Sequence, residues 1–149
     1  MVRRACSNDL PEILRLYRHL NPDDPVCDPD APNTQGTWKT IMANSQLAYF
    51  VAEADGKIVS TCNLTIVPNL TRGLRPYGLI ENVVTDPAYE RRGFGTMVLT
   101  HALNEAWAAG CYKVMLLTSS RREATLRFYA KAGFRRGVKT GFIAYAPKA

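Results

Sequence analysis

Apolar residues at Leu10, Ile13, Leu14 and Tyr17 follow an i, i+3, i+4, i+7 spacing, which predicts an amphipathic helix in "SNDLPEILRLYRHL". Ser7 or Asp9 supplies the expected cap oxygen, and Pro11 is compatible because it falls in the first turn. Val2 to Ala5 can form a short strand ahead of it. "NPDDPVCDPDAPN" then breaks all periodicity with four prolines and four aspartates and must be a loop, followed by a helix around Trp38, Ile41 and Met42. Two alternating runs in "LAYFVAEADGKIVSTCNLTIV" flank Asp55-Gly56, the pair preferred where both central positions of a type I′ turn need positive φ, and predict a β-hairpin.

After the loop "PNLTRGLRP", "YGLIENVVT" reads as a strand that Asp86-Pro87 ends. A helix from about Gly95 to Ala109 groups Leu99, Ala102, Leu103 and Ala106 on one face, with Gly110 as its stop. "CYKVMLLT" is nearly continuous apolar, as expected of a strand covered on both sides. "SRREATLRFYAKAG" places Ser120 three residues before Glu123, a capping-box signature, and Gly133 closes that helix. "FRRGVKTGFIAYA" reads as a final antiparallel pair. The order β-α-α-β-β-β-α-β-α-β-β describes an α/β chain with a mixed sheet and helices on its faces. Within it, Gly78 to Thr118 forms a right-handed parallel crossover. No repeat or linker divides residues 1–149, so one domain is expected.

The chain has 149 residues and a net charge of +6, from 19 Lys and Arg against 13 Asp and Glu, which suits an anionic ligand. Nucleic acid is the usual rival for a basic chain, but the arginines here gather in short pairs rather than along one helix. Cys6, Cys27, Cys62 and Cys111 form no CxxC pair and His19 and His101 complete no ligand set, so no metal is expected and the thiols read as buried and free in a reducing cytosol. No segment has the apolar length of a signal peptide or a membrane span, and a cytoplasmic protein is expected.

Candidate chemistry starts at "TDPAYERRGFGT", Thr85 to Thr96. A strand running through a Gly-rich turn into a helix aims unpaired backbone N–H groups at one point, with the helix dipole behind them. Gly93 and Gly95 allow close approach, and Arg91 and Arg92 add charge. The P-loop pattern is absent, and a dinucleotide fingerprint fails because its third glycine would fall at Val98. Alone, the stretch fits a phosphate cradle and a plain strand-to-helix turn equally well.

Its context adds a resemblance. "VVTDPAYERRGFGT" with "TLRFYAKAGF" resembles the GCN5-related N-acetyltransferase (GNAT) family, through Pro87, Tyr89, Gly93 and Gly95 and then Phe128, Tyr129, Gly133 and Phe134. The resemblance implies a mostly antiparallel mixed sheet of six to seven strands with about four helices and one parallel strand–helix–strand unit. It implies acetyl-CoA as co-substrate, with Arg91, Arg92, Gly93, Phe94, Gly95 and Thr96 cradling the pyrophosphate and the main chain of Val83, Val84 and Thr85 holding the acetyl and pantetheine portions. Two positions depart from the family pattern. Glu90 stands where Arg or Gln is usual, and Arg122 stands where an Asn often contacts the cofactor, so that an ionic contact to phosphate replaces an amide one.

The implied reaction is direct acetyl transfer to a primary amine. An ammonium must lose a proton, the thioester oxygen needs an N–H donor, and the departing thiolate gains from an acid. Glu81 is the candidate base, alternating with Ile80 and Asn82 and expected to share a face with Val83. An amide at Val83 or Val84 is the candidate oxyanion donor, and the resemblance makes Tyr129 the candidate acid. "IENVVT" with "GCYKVMLL" is further similar to the glucosamine-6-phosphate acetyltransferase branch, with Asn82 in place of that branch's Asp. The loops 21–33 and 68–76 are expected to shape the acceptor pocket, one acidic and one carrying Arg72 and Arg75, with Tyr17, Trp38 and Tyr77 as possible lining. A small amine is the expected acceptor; a protein lysine or N-terminus, or a non-catalytic acetyl-CoA-binding module, are the alternatives. A homodimer would use the C-terminal strands.

Overall fold

The computed structural model describes residues 1–147. They divide into two compact units, Met1–Leu116 and the chain from Leu117 onward. The first unit holds β1 (Val2–Arg4), α1 (Leu10–Leu20), α2 (Pro32–Ala43), β2 (Leu47–Ala54), β3 (Lys57–Val67), β4 (Tyr77–Thr85), α3 (Phe94–Ala108) and β5 (Val114–Met115). One sheet runs in the order β1-β2-β3-β4-β5. Its first four strands are antiparallel neighbours and β5 lies parallel to β4, so the mixed sheet and the parallel unit are as expected. The β2–β3 turn is the one Asp55-Gly56 predicts, with φ of +52° and +72°.

Each face of the sheet has its own layer. On one, Leu10, Ile13 and Leu16 of α1 pack with Trp38 of α2 and with Tyr49, Val51, Ile58 and Val84 from the strands. The fully buried stripe of α1 is thus Leu10, Ile13 and Leu16, with Leu14 and Tyr17 partly buried against it. On the other face, Phe50 stacks edge-on to His101 of α3 at 5.1 Å, and the Cys62 thiol lies 3.7 Å from the Val98 carbonyl. Alternate residues of β2 and β3 are buried on both sides, which orders the centre of the sheet most tightly.

Several expectations are corrected. Among the described residues the sheet has five strands rather than six or seven, because residues 134–147 form no strand. Val138, Phe142, Ile143 and Tyr145 are exposed, and a hairpin without a covered apolar face is marginal by itself. The apolar run "CYKVMLLT" contributes two residues of strand, since pairing with β4 stops at Leu79↔Met115. In the second unit α4 (Glu123–Lys131) begins without the predicted capping box: Ser120 Oγ accepts from the Arg122 N–H at 3.3 Å instead. Cys62 and Cys111 are buried as expected, but Cys6 and Cys27 are exposed because they sit in turns outside the packed stripes.

Nor does Asp9 cap α1. Its buried carboxylate accepts from the Cys6 N–H at 2.7 Å and from both terminal nitrogens of Arg3 at 2.6 and 2.9 Å, and Arg3 also pairs with Glu53. This network ties β1, the turn before α1, and β2 together. Arg3 holds the Asp9 carboxyl below its ordinary value, against burial, with the Cys6 N–H adding to the effect. Because the folded value is depressed, the stabilisation is complete above the ordinary carboxylate range, near pH ~4, and is lost as pH falls through the folded value. Asp9→Asn should lower stability at pH 7 by about 2 kcal/mol, and the difference should shrink towards pH ~2. Urea unfolding at both pH values checks this; an equal loss at both contradicts it.

Candidate functional site

Strand β4 carries an irregularity that alternation does not reveal. Glu81 pairs with Asn63 and Val84 with Thr61, so Asn82 and Val83 together stand opposite Cys62. This is a β-bulge, and Asn82 makes it with a φ of +54°, a conformation Asn tolerates better than most residues. The extra residue reverses the parity of everything beyond it. Glu81 therefore shares a face with Val84, not with Val83 as alternation implied. Across the strands it lies in register with Asn63 and Tyr49, on the face that carries α1 and α2. Its carboxylate is exposed and enters no ion pair among the described residues.

Beyond the bulge the strand is pinned again. Ser60 Oγ, fully buried, donates to the Val84 carbonyl at 3.0 Å and lies 2.9 Å from the Thr85 hydroxyl. The Val84 side chain belongs to the core, and its carbonyl is taken by Ser60. Asp86 then accepts from the Ala88 N–H at 3.0 Å and from Arg15 of α1 at 2.7 Å, while Arg15 also donates to the Ile58 carbonyl at 2.7 Å. Burial acts to raise the Asp86 carboxyl, but the Ala88 N–H and Arg15 outweigh it and hold the group below its ordinary value. Neither Arg15 nor Ser60 stood out in the sequence, since an isolated Arg or Ser in a periodic segment reads as solvated or packed.

The turn into α3 has the form the expected anion cradle requires. The Tyr89 hydroxyl bonds Asp55 at the hairpin tip, 3.0 Å away, and its ring packs edge-on to Phe94 at 6.0 Å. The Arg92 guanidinium lies over both rings, at 4.9 and 5.5 Å from their centroids. Gly93 has a φ of +89° and Arg91 a φ of +58°, which turn the chain sharply into the helix. The first helical bond runs from the Met97 N–H to the Gly93 carbonyl at 3.0 Å. The N–H groups of Phe94, Gly95 and Thr96 therefore keep no partner among the described residues and point out of the helix end with its partial positive charge. Arg91 and Arg92 are exposed beside them; so is Glu90, which pairs with no cation among the described residues.

A cavity of about 250 Å³ lies between α1 and α2, lined by Tyr17, Trp38, Tyr49, Cys27, Asn33 and their neighbours. Trp38 meets Tyr49 edge-on at 5.3 Å and donates its indole N–H to the Ser7 carbonyl at 3.0 Å. Two of the three candidate aromatics, Tyr17 and Trp38, thus face this cavity. Tyr77 does not: it opens β4 at the far end of the strand, where Lys113 lies 5.5 Å from its ring centroid. The basic loop is engaged there too, with Arg75 donating to the Gly110 and Cys111 carbonyls at 3.2 Å and Arg72 over the Tyr112 ring at 5.8 Å. In the second unit, Arg122 is exposed ahead of α4, and the Tyr129 ring lies 4.9 Å from Phe128 and 6.3 Å from Phe134.

Residues 13–134 match the model of the acetyltransferase (GNAT) family. Over 128 residues the chain is 35% identical to the glucosamine 6-phosphate N-acetyltransferase of Trypanosoma brucei brucei, covering 86% of this chain and 84% of that one. It is 31% identical over 124 residues to glucosamine 6-phosphate N-acetyltransferase 1 of Oryza sativa subsp. japonica, covering 82% and 72%. A solved structure from Agrobacterium tumefaciens str. C58 that carries an acetyltransferase assignment superposes with a TM-score of 0.92 at 44% identity, covering 98% of this chain and 99% of that chain.

Gly93 tests the cradle directly. A Cβ there meets nothing within 4 Å, so any cost of Gly93→Ala comes from the backbone at φ +89°. The substitution should lower stability by about 1–2 kcal/mol and weaken coenzyme A about tenfold, read by calorimetric titration. Unchanged affinity would contradict the cradle.

Proposed function

The chain belongs to the acetyltransferase (GNAT) family, and from that premise we propose that it transfers the acetyl group of acetyl-CoA to the amine of glucosamine 6-phosphate. The observation that carries this reading is that two relatives from distant organisms, each 31% or more identical over most of their length, are named for that acceptor. As an N-acetyltransferase of this family the protein draws on acetyl-CoA. The choice of a small amino-sugar phosphate over a lysine or an N-terminus is the finer step.

In this mechanism the cofactor's pyrophosphate lies against Arg91, Arg92, Gly93, Phe94, Gly95 and Thr96, supported by the open N–H groups at the start of α3. For Arg122 an ionic contact to phosphate is proposed on its place in the family motif alone. The main chain of Val83, Val84 and Thr85 takes the acetyl and pantetheine portions, with an amide at Val83 or Val84 donating to the thioester oxygen. Glu81, exposed on the face that carries α1 and α2, accepts the ammonium proton directly or through one water. The free amine then attacks the thioester carbon, the C–N bond forms, and the C–S bond breaks. Negative charge on the oxygen in the tetrahedral intermediate is met by the main-chain N–H. The departing thiolate takes a proton from Tyr129, whose role rests on its Phe-Tyr motif.

A homodimer and cytoplasmic residence complete the proposal. Exposed Val138, Phe142, Ile143 and Tyr145 suit a surface covered by a second copy, and no helix among the described residues is long and apolar enough to cross a membrane. Free-thiol release from acetyl-CoA should be fastest with glucosamine 6-phosphate, slower with glucosamine, and absent with lysine peptides; a preference for peptides would overturn the acceptor. Glu81→Gln should lower kcat about 100-fold and flatten the acidic limb of the pH–rate profile. Tyr129→Phe should lower kcat by more than it weakens acetyl-CoA. A wild-type profile in the first, or unchanged turnover in the second, assigns the role to another group.

A further inference from the structure

Four polar residues are buried among the described residues: Asp9, Ser60, Thr61 and Asn63. Three of them are matched inside the chain. Asp9 accepts from Arg3 and from the Cys6 N–H, Ser60 donates to the Val84 carbonyl, and Thr61 donates to the Phe50 carbonyl at 2.8 Å. The Asn63 amide makes no side-chain hydrogen bond to another described residue. A buried amide needs a partner, and here the partner comes from outside the chain. Asn also suits a strand poorly, and β3 is the middle strand of five. A leucine would fill about the same space without the polar cost.

The position of Asn63 indicates what it meets. It stands directly opposite Glu81 of β4 on one side and Tyr49 of β2 on the other, so the three side chains form one row across the face that carries α1 and α2. The row is graded. Glu81 is exposed, Asn63 is 7% exposed, and Tyr49 is buried in the wall of the cavity between α1 and α2. Asn63 is therefore reached from the Glu81 end. The neighbouring row of Val84, Thr61 and Val51 is buried throughout. Directly opposed residues hold their Cβ atoms about 5 Å apart, so groups on adjacent carbons of one small molecule reach both. Their chemistry differs. The carboxylate only accepts and suits an ammonium, whereas the amide both donates and accepts and suits a hydroxyl.

We propose that Asn63 is a specificity-determining residue that binds a hydroxyl on the carbon next to the acceptor's amine, so that the site selects 2-amino alcohols. This deepens the reading above and rests on one part of it, that the amine meets Glu81. In glucosamine 6-phosphate the amine-bearing carbon is flanked by oxygen on both sides, and one of these oxygens replaces water at Asn63. A lysine side chain offers only hydrocarbon there and leaves the amide unpaired, which discriminates more strongly than a missing apolar contact. Two fixed points, rather than one, also orient the amine for attack.

Wild-type kinetics test this with glucosamine 6-phosphate against its 3-deoxy and 1,5-anhydro analogues, each of which lacks one flanking hydroxyl. Removing one of the two should lower kcat/KM about 30-fold. Asn63→Leu should lower kcat/KM for the parent sugar about 30-fold and accept the disfavoured analogue within about twofold of the parent. Its KM for acetyl-CoA should stay within about twofold, and it should melt no lower than wild type, since no internal hydrogen bond is lost. A merely structural Asn63 gives the opposite pattern, a lower melting temperature with discrimination intact, and overturns the proposal. So does a wild type that turns over both analogues like the parent. Should the wild type spare glucosamine 6-phosphate, the comparison moves to primary amines with and without the adjacent hydroxyl. A preference for the hydroxylated amines then supports Asn63 and overturns only the sugar phosphate, while a preference for the bare amines overturns this inference and leaves acetyl transfer standing. Turnover of no amine overturns the proposed function, and this inference with it.

Discussion

One residue out of step in β4 governs the rest of this structure. Asn82, with a φ of +54°, makes two residues of β4 stand opposite Cys62 of β3. An antiparallel ladder tolerates such an insertion by bending the bulged strand and leaving local main-chain groups outside the regular pattern. The ladder to β5 has already ended, at Leu79. Main-chain groups of an interior strand, which a regular sheet would consume, thereby fall outside the regular ladder. Glu81 on one side of the bulge and Val84 on the other come to share a face, one exposed and one in the core.

A bulge is useful only if its flanks are rigid, and the flanks are where side chains are spent on the backbone. Ser60 holds Val84 and Thr85, and Arg15 spans from Asp86 to the Ile58 carbonyl. Tyr89 carries the following turn to the hairpin tip at Asp55. These contacts are polar, specific in direction, and drawn from three different elements. They orient the strand end and the cradle as one piece, so the N–H groups of Phe94, Gly95 and Thr96 keep a constant relation to the bulge. The same economy explains why Arg92, stacked on Tyr89 and Phe94, is held rather than free: its charge stays beside the helix end while its position is set by two rings.

Features that depend on near neighbours in the chain were readable in advance. Asp55-Gly56 makes its turn because both residues tolerate positive φ, and Gly93 and Gly110 bound α3 with φ of +89° and +79° for the same reason. The cradle motif was readable because its donors belong to consecutive residues. Local rules also misled where a second partner competes for the same side chain. Ser120 has the spacing of a capping box but bonds Arg122, and Asp9 sits where a cap belongs but is taken by Arg3 and the Cys6 N–H. The alternation in residues 134–147 suggests a hairpin, yet alternation states which side chains would be covered and not what covers them.

By itself, then, the sequence determined the element types and their order up to α4, the turns and the family. Each of these follows from periodicity or from backbone preferences that act over a few residues. The tertiary structure alone decided the register of β4 and so the face on which Glu81 lies. It also decided the early end of β5, the clamp of Arg15 on Asp86, and the burial of the Tyr17 hydroxyl. Register, ion pairing and desolvation are properties of two segments meeting, and neither segment encodes them alone.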